Sequence, residues 1–120
     1  MKKIYHLSSC NTCQRIIKDL LTVDATCALQ DIKIQNINAE QLDWLAQKTG
    51  GYEALFSRKA MKFRSMGLHE KTLTENDYRN LILEEYTFLK RPVVVVGERV
   101  FAGNAAKTVE AAKEALSIKN

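Results

Sequence analysis

The sequence predicts an α/β fold: a mixed sheet of about four strands flanked by helices, with a helical insertion over about residues 38–90 between a βαβ half and a ββα half. Three observations predict it. A short apolar run, Ile4-Tyr5, passes within a few residues into a helical pattern carrying Ile16, Ile17, Leu20 and Leu21. Val93 to Val96 is apolar on both faces and reads as a central strand. Between these two parts the apolar residues recur at helical spacing.

The elements follow in order. Lys2 to His6 forms the first strand, with Ile4 and Leu7 on the apolar side and Tyr5 or His6 on the other. Helix one runs from about Asn11 to Thr22 and buries Ile16, Ile17, Leu20 and Leu21. Thr26 to Asn36 alternates as a second strand, centred on Leu29 to Ile34, and strand, helix, strand at this spacing makes a parallel unit. Asn38-Ala39-Glu40-Gln41 opens a helix with Leu42, Leu45 and Ala46 on one face, and Gly50-Gly51 closes it. Tyr52 to Phe56 and Ala60 to Met66 are short helical pieces. Thr74-Glu75-Asn76-Asp77 reads as a capping box, and the helix behind it carries Tyr78, Leu81, Ile82 and Tyr86.

Pro92, the single proline, introduces the valine run, as proline can at a strand's first residue. Gly97-Glu98 turns the chain into Arg99-Val100-Phe101, an antiparallel hairpin. Asn104 caps a last helix that faces Val109, Ala112 and Leu116 inward.

At 120 residues the chain is expected to be one domain, a monomer with a real core. No apolar stretch is long enough for a signal peptide or a membrane span. With three cysteines, an odd number, the expected compartment is the reducing cytoplasm, where paired cysteines serve chemistry more readily than they staple a fold. The net charge of +4 is scattered, and no direct contact with nucleic acid is expected. The densest basic run, Ser57 to Arg64, reads as a solvated face, with an anion-binding patch as the alternative.

The chemistry centres on Ser8-Ser9-Cys10-Asn11-Thr12-Cys13-Gln14-Arg15, where the first strand hands over to the first helix. Backbone N–H groups without intrahelical partners converge there, and the helix dipole favours a thiolate. Cys10 is the expected nucleophile, and Cys13, one turn on, is within reach of a disulfide with it. A zinc site is the first alternative, but it needs two more ligands from Cys27, His6 and His69, none in a second paired spacing. Two small buried side chains at a helix start are the other. Cys27 reads as core, Trp44 as a packing residue, and His69 as a loop residue without a role.

Taken together, Tyr5-His6-x3-Cys10, the Arg91-Pro92-Val93 junction, and the Ser57 to Leu68 segment ending Met66-Gly67-Leu68 resemble the arsenate reductase (ArsC) family of the thioredoxin-like fold, from Ile4 to Leu116. That family also holds the Spx transcription regulators and the YffB-type proteins. The resemblance implies a thiol-dependent oxidoreductase in which Cys10 attacks an oxidised substrate such as arsenate. Cys13 or an external thiol then resolves the adduct. No bound cofactor is implied; glutathione with glutaredoxin, or thioredoxin, supplies the electrons. It further implies that His6 helps to activate Cys10 and that Arg91 binds the oxyanion. Arg58 is the second arginine, with Lys59 as its rival, and Pro92 follows a cis bond against the active cysteine. An arginine fork suits two arsenate oxygens at once.

The alternative within the resemblance is an Spx-like redox sensor that binds RNA polymerase, with Cys10 and Cys13 as the switch and Gly51 at the contact; a helix C-cap also accounts for Gly50-Gly51. Two departures stand out. The family's third arginine has no counterpart, since Arg99 comes too early and Ala102-Gly103-Asn104 occupy the expected place. Cys13 stands where glutaredoxin-coupled arsenate reductases carry Ser, and Gln14 stands where Spx proteins carry Arg after their second cysteine.

Overall fold

The computed structural model describes residues 1–118, and they form two compact units: residues 1–35 with the chain from Arg91 onward, and Asn36–Lys90. In the first unit, β1 (Lys2–His6), α1 (Asn11–Val23) and β2 (Ala28–Asp31) are followed, after the second unit, by β3 (Val93–Val96), β4 (Arg99–Ala102) and α5 (Ala106–Ser117). The sheet order is β2-β1-β3-β4. β1 runs parallel to β2, pairing His6 with Asp31, and antiparallel to β3, pairing Tyr5 with Val93; β3 and β4 form the hairpin. The valine run is thus an inner strand, buried through Val95.

The side chains explain these elements. Ile4 and Val94, paired across β1 and β3, lie in one core cluster with Cys13, Ile16, Ile17 and Leu20 of α1 and with Ala112 and Leu116 of α5. Each large aliphatic side chain buried this way contributes roughly 1.5–3 kcal/mol. Tyr5, Val93 and Val95 alternate to the opposite face of the sheet and are buried as well. Among the described residues no helix is long and apolar enough to cross a membrane.

The second unit is helical: α2 (Ala39–Thr49), a 3₁₀ turn (Glu53–Leu55), α3 (Met61–Ser65), a second 3₁₀ turn (Leu68–Glu70), α4 (Glu75–Glu84) and a third 3₁₀ turn (Tyr86–Phe88). α2 and α4 both begin with full capping boxes, Asn38 with Gln41 and Thr74 with Asp77. Gly50 ends α2 in the left-handed region at φ 91°, where a side chain is strained. Phe56 sits among rings, stacked on Phe88 at 5.0 Å and tilted against Tyr78 at 4.9 Å. Asn36 closes the far end of α4 by donating to the Ile82 carbonyl at 3.2 Å.

Three expectations are corrected. The second strand stops at Asp31, far short of Asn36, because the Asp31 carboxylate captures the Lys33 N–H at 3.1 Å and turns the chain, leaving Ile34 85% exposed. Tyr86 lies beyond α4 in a 3₁₀ turn, since Glu85 breaks the helix with extended backbone and accepts the Thr87 N–H. Asn104 does not cap α5: Ala105 holds that position without a side-chain bond, and Asn104 is exposed in the turn after Gly103. Cys27 lies one residue ahead of β2 and joins the core cluster, with burial pushing its thiol up. Lys48 reaches over the Trp44 ring at 5.4 Å.

Candidate active site

β1 ends at His6, and Leu7 is buried beyond it. Ser8 and Ser9 then turn so that the Cys10 N–H donates to the Leu7 carbonyl at 3.0 Å. Cys10 is the N-cap of α1, extended at φ −97° and ψ 108°, and its carbonyl accepts the Gln14 N–H at 3.0 Å. Its side chain is half-buried against the core cluster. The first turn of α1 carries no acidic residue of its own to offset the positive end of the helix dipole.

Two side chains hold this loop, and the sequence reading missed both roles. Asp31, the register partner of His6, accepts the Ser8 N–H at 3.3 Å. Burial works to raise the Asp31 pKa, but hydrogen bonds from Ser8 and Lys33 outweigh it and hold the carboxyl below the ordinary value. From the helix side, Gln14 Nε2 donates to the Leu7 carbonyl at 2.9 Å and lies 3.1 Å from His6 Nδ1. The end of β1 and the first turn of α1 are therefore fastened to each other. No spacing rule signals a contact between residues 6 and 14, because it depends on the angle at which the helix leaves the strand.

The two cysteines differ sharply. Cys13 is 0% exposed while Cys10 is only half-buried. Burial pushes the Cys13 thiol up, and the charges of Cys10 and Asp31 add to that; a backbone hydrogen bond with Leu7 and the positive charge of Arg91 pull the other way without reversing it. Arg91 is half-buried and precedes Pro92 through a cis peptide bond. Pro92 is buried one residue ahead of the Tyr5–Val93 pair, and its carbonyl accepts the Gly103 N–H at 2.9 Å. The sheet unit thus carries Cys10, Cys13, His6, Arg91 and Pro92.

Arg58 belongs to the helical unit. Its Nη2 donates to Glu53 at 2.8 Å and to the Tyr78 hydroxyl at 2.7 Å, and its guanidinium lies over the Tyr78 ring at 5.6 Å. Lys62, in the same basic run, pairs with Glu85 at 2.6 Å, while Lys59 is exposed. These pairings give the run the character of a solvated, ion-paired face. Arg99 is exposed on β4 with its guanidinium 5.1 Å from the centre of the Phe101 ring. Among the described residues no three His, Cys, Asp or Glu side chains are grouped to hold a metal ion.

Comparison with known proteins finds a matching family model and solved structures of similar fold. The ArsC family model matches residues 5–112. The uncharacterized protein YusI of Bacillus subtilis (strain 168) is 28% identical over 102 residues, covering 82% of this chain and 86% of YusI. The fold matches that of a putative ArsC family related protein from Bacteroides fragilis with a TM-score of 0.79 at 23% identity, over 92% of this chain and 96% of the other. It matches an arsenate reductase from Vibrio cholerae with a TM-score of 0.77 at 18% identity, over 94% and 95% of the two chains.

Proposed function

Since the chain belongs to the ArsC family, we propose that it is a thiol-dependent oxidoreductase in which Cys10 attacks an oxidised oxyanion, with arsenate as the first substrate to test. The observation that carries this reading is the unequal cysteine pair: Cys10 at the N-cap of α1 and Cys13 fully buried one turn behind it. One sulfur meets the substrate and the other is kept from it.

The step balances with two thiols. The Cys10 sulfur attacks arsenic, and one arsenate oxygen departs as water after taking up protons. A second thiol then attacks the Cys10 sulfur. As the S–S bond forms, the S–As bond breaks with its electron pair going to arsenic, which leaves reduced by two electrons as arsenite. Cys13 or an external thiol fills the second role, and glutathione with glutaredoxin, or thioredoxin, returns two electrons to the disulfide. No bound cofactor enters the scheme. Arg91, whose charge is felt at Cys13, offsets the negative charge of the oxyanion. Arg58 enters as a second oxyanion-binding arginine on the family resemblance, and Glu53 would have to release it.

The test is arsenate-dependent oxidation of NADPH by the purified protein, coupled in parallel to glutathione with glutaredoxin and to thioredoxin. Cys10→Ser abolishes turnover. Survival of Cys13→Ser indicates an external resolving thiol, and its loss indicates an internal disulfide, which peptide mapping after mild oxidation would find as Cys10 joined to Cys13. Absence of turnover from a folded protein overturns the arsenate reading. The next measurement is then binding to RNA polymerase before and after oxidation, the property of an Spx-like switch.

A further inference from the structure

Gln14 Nε2 faces two acceptor positions at once: the Leu7 carbonyl at 2.9 Å and His6 Nδ1 at 3.1 Å. The carbonyl decides the chemistry of the whole arrangement. A carbonyl oxygen only accepts, so the amide must turn its nitrogen, not its oxygen, toward Leu7. An NH₂ group has two hydrogens that diverge, and with one committed to Leu7 the other is directed at His6. Nδ1 therefore has to accept. In a neutral imidazole the nitrogen that accepts has no proton, so the proton sits on Nε2.

We propose that Gln14 is a positioning residue that holds His6 as the neutral Nε2–H tautomer, so that the imidazole serves the Cys10 site as a hydrogen-bond donor and not as a base. Both basic positions of the ring are accounted for: Nδ1 is occupied by the Gln14 amide, and Nε2 already carries its proton. A His6 that removed the Cys10 proton would need one of them vacant. What the ring can offer an anion is the Nε2–H, a donor that strengthens as negative charge develops. The same bond keeps the ring from rotating, because β1 fixes its Cα and α1 fixes its Nδ1. The tautomer stands on geometry alone; its use at Cys10 rests on the proposed reaction.

The experiment is long-range proton–nitrogen correlation NMR on uniformly labelled full-length protein at about pH 8, where an ordinary histidine is neutral. The wild type is expected to show a proton on Nε2, none on Nδ1, and a coupling across the hydrogen bond between Nδ1 and the Gln14 side-chain nitrogen. Gln14→Leu removes the coupling, moves the Nδ1 signal to that of a free imine nitrogen and lets the second tautomer appear. A protonated Nδ1 in the wild type, or ring signals unchanged in Gln14→Leu, overturns the assignment. The wild-type spectrum decides even if the variant fails to fold. No turnover enters these readouts: arsenate inertness with the Nε2–H signature intact strikes the proposed reaction alone, and turnover with a protonated Nδ1 strikes this assignment alone.

Discussion

The carboxylate of Asp31 accepts the backbone N–H of Ser8, and this one bond carries the position of β2 into the loop that ends at Cys10. Strand pairing alone brings Asp31 beside His6. The side chain extends that alignment two residues past the end of the ladder, where backbone pairing has stopped.

Asp31→Ala is expected to cost about 1 kcal/mol, the worth of exposed hydrogen bonds from Ser8 and Lys33. Urea denaturation measures the loss. The variant is also expected to change the rate at which iodoacetamide modifies Cys10 in the native protein; an unchanged rate would show that the loop does not depend on Asp31.

Acid stability should report the pair between Lys2 and Asp24. The hydrogen bond from Lys2, followed by those from Thr26, holds the Asp24 carboxyl well below its ordinary value of 3.8. The folded value is depressed, so the stabilisation is complete above the unfolded pKa and is lost as pH falls below it toward the folded value. The margin of wild type over Asp24→Asn is therefore expected to stay flat above about pH 5 and to shrink below about pH 4. Melting curves across that range check it, and a margin that grows in acid would contradict it.

Thiol accessibility should separate the three cysteines. Cys13 is 0% and Cys27 8% exposed, and burial raises both thiols, whereas Cys10 is half-buried at a helix start. Brief alkylation of native, reduced protein is expected to label Cys10 alone, and labelling after unfolding to recover all three. Peptide mapping reads the sites; prompt native labelling of Cys13 would contradict its burial.

Thr74→Ala and Asn38→Ala each remove the side-chain half of a capping box and are expected to cost about 1 kcal/mol by equilibrium denaturation. Leu20→Ala, at a fully buried site, should cost about 2–5 kcal/mol. Cap losses as large as the core loss would mean that the boxes do more than satisfy helix ends.

Those caps also show what a sequence makes legible. Asn38 with Gln41 and Thr74 with Asp77 are local signals, and α2 and α4 start where they say. The valine run is equally legible, because only a strand covered on both faces tolerates it. Alternation misleads after Asp31: Ile32 and Ile34 keep a strand's period, yet a carboxylate capturing nearby N–H groups ends the strand first. Asn104 has the right residue type for a cap, but the chain is still turning after Gly103, and α5 begins behind Ala105. At the site, the paired cysteines and the proline could be read directly. The contacts of Gln14 with His6 and of Arg58 with Tyr78 could not, since each joins residues whose meeting is set by how elements leave one another.

The chain order of the sheet unit has a consequence during synthesis. Cys10, Cys13 and Cys27 all leave the ribosome before Asn36, while Val94, Ala112 and Leu116, which complete their core, follow the entire Asn36–Lys90 unit. At roughly 5–20 residues per second, that order leaves the nascent thiols uncovered for several seconds. Thiols sheltered in the finished fold are then open to any oxidant or electrophile present. Nascent chains stalled before Val93 are expected to be alkylated at Cys13 and Cys27 as readily as at Cys10, and that parity should vanish once Leu116 has emerged.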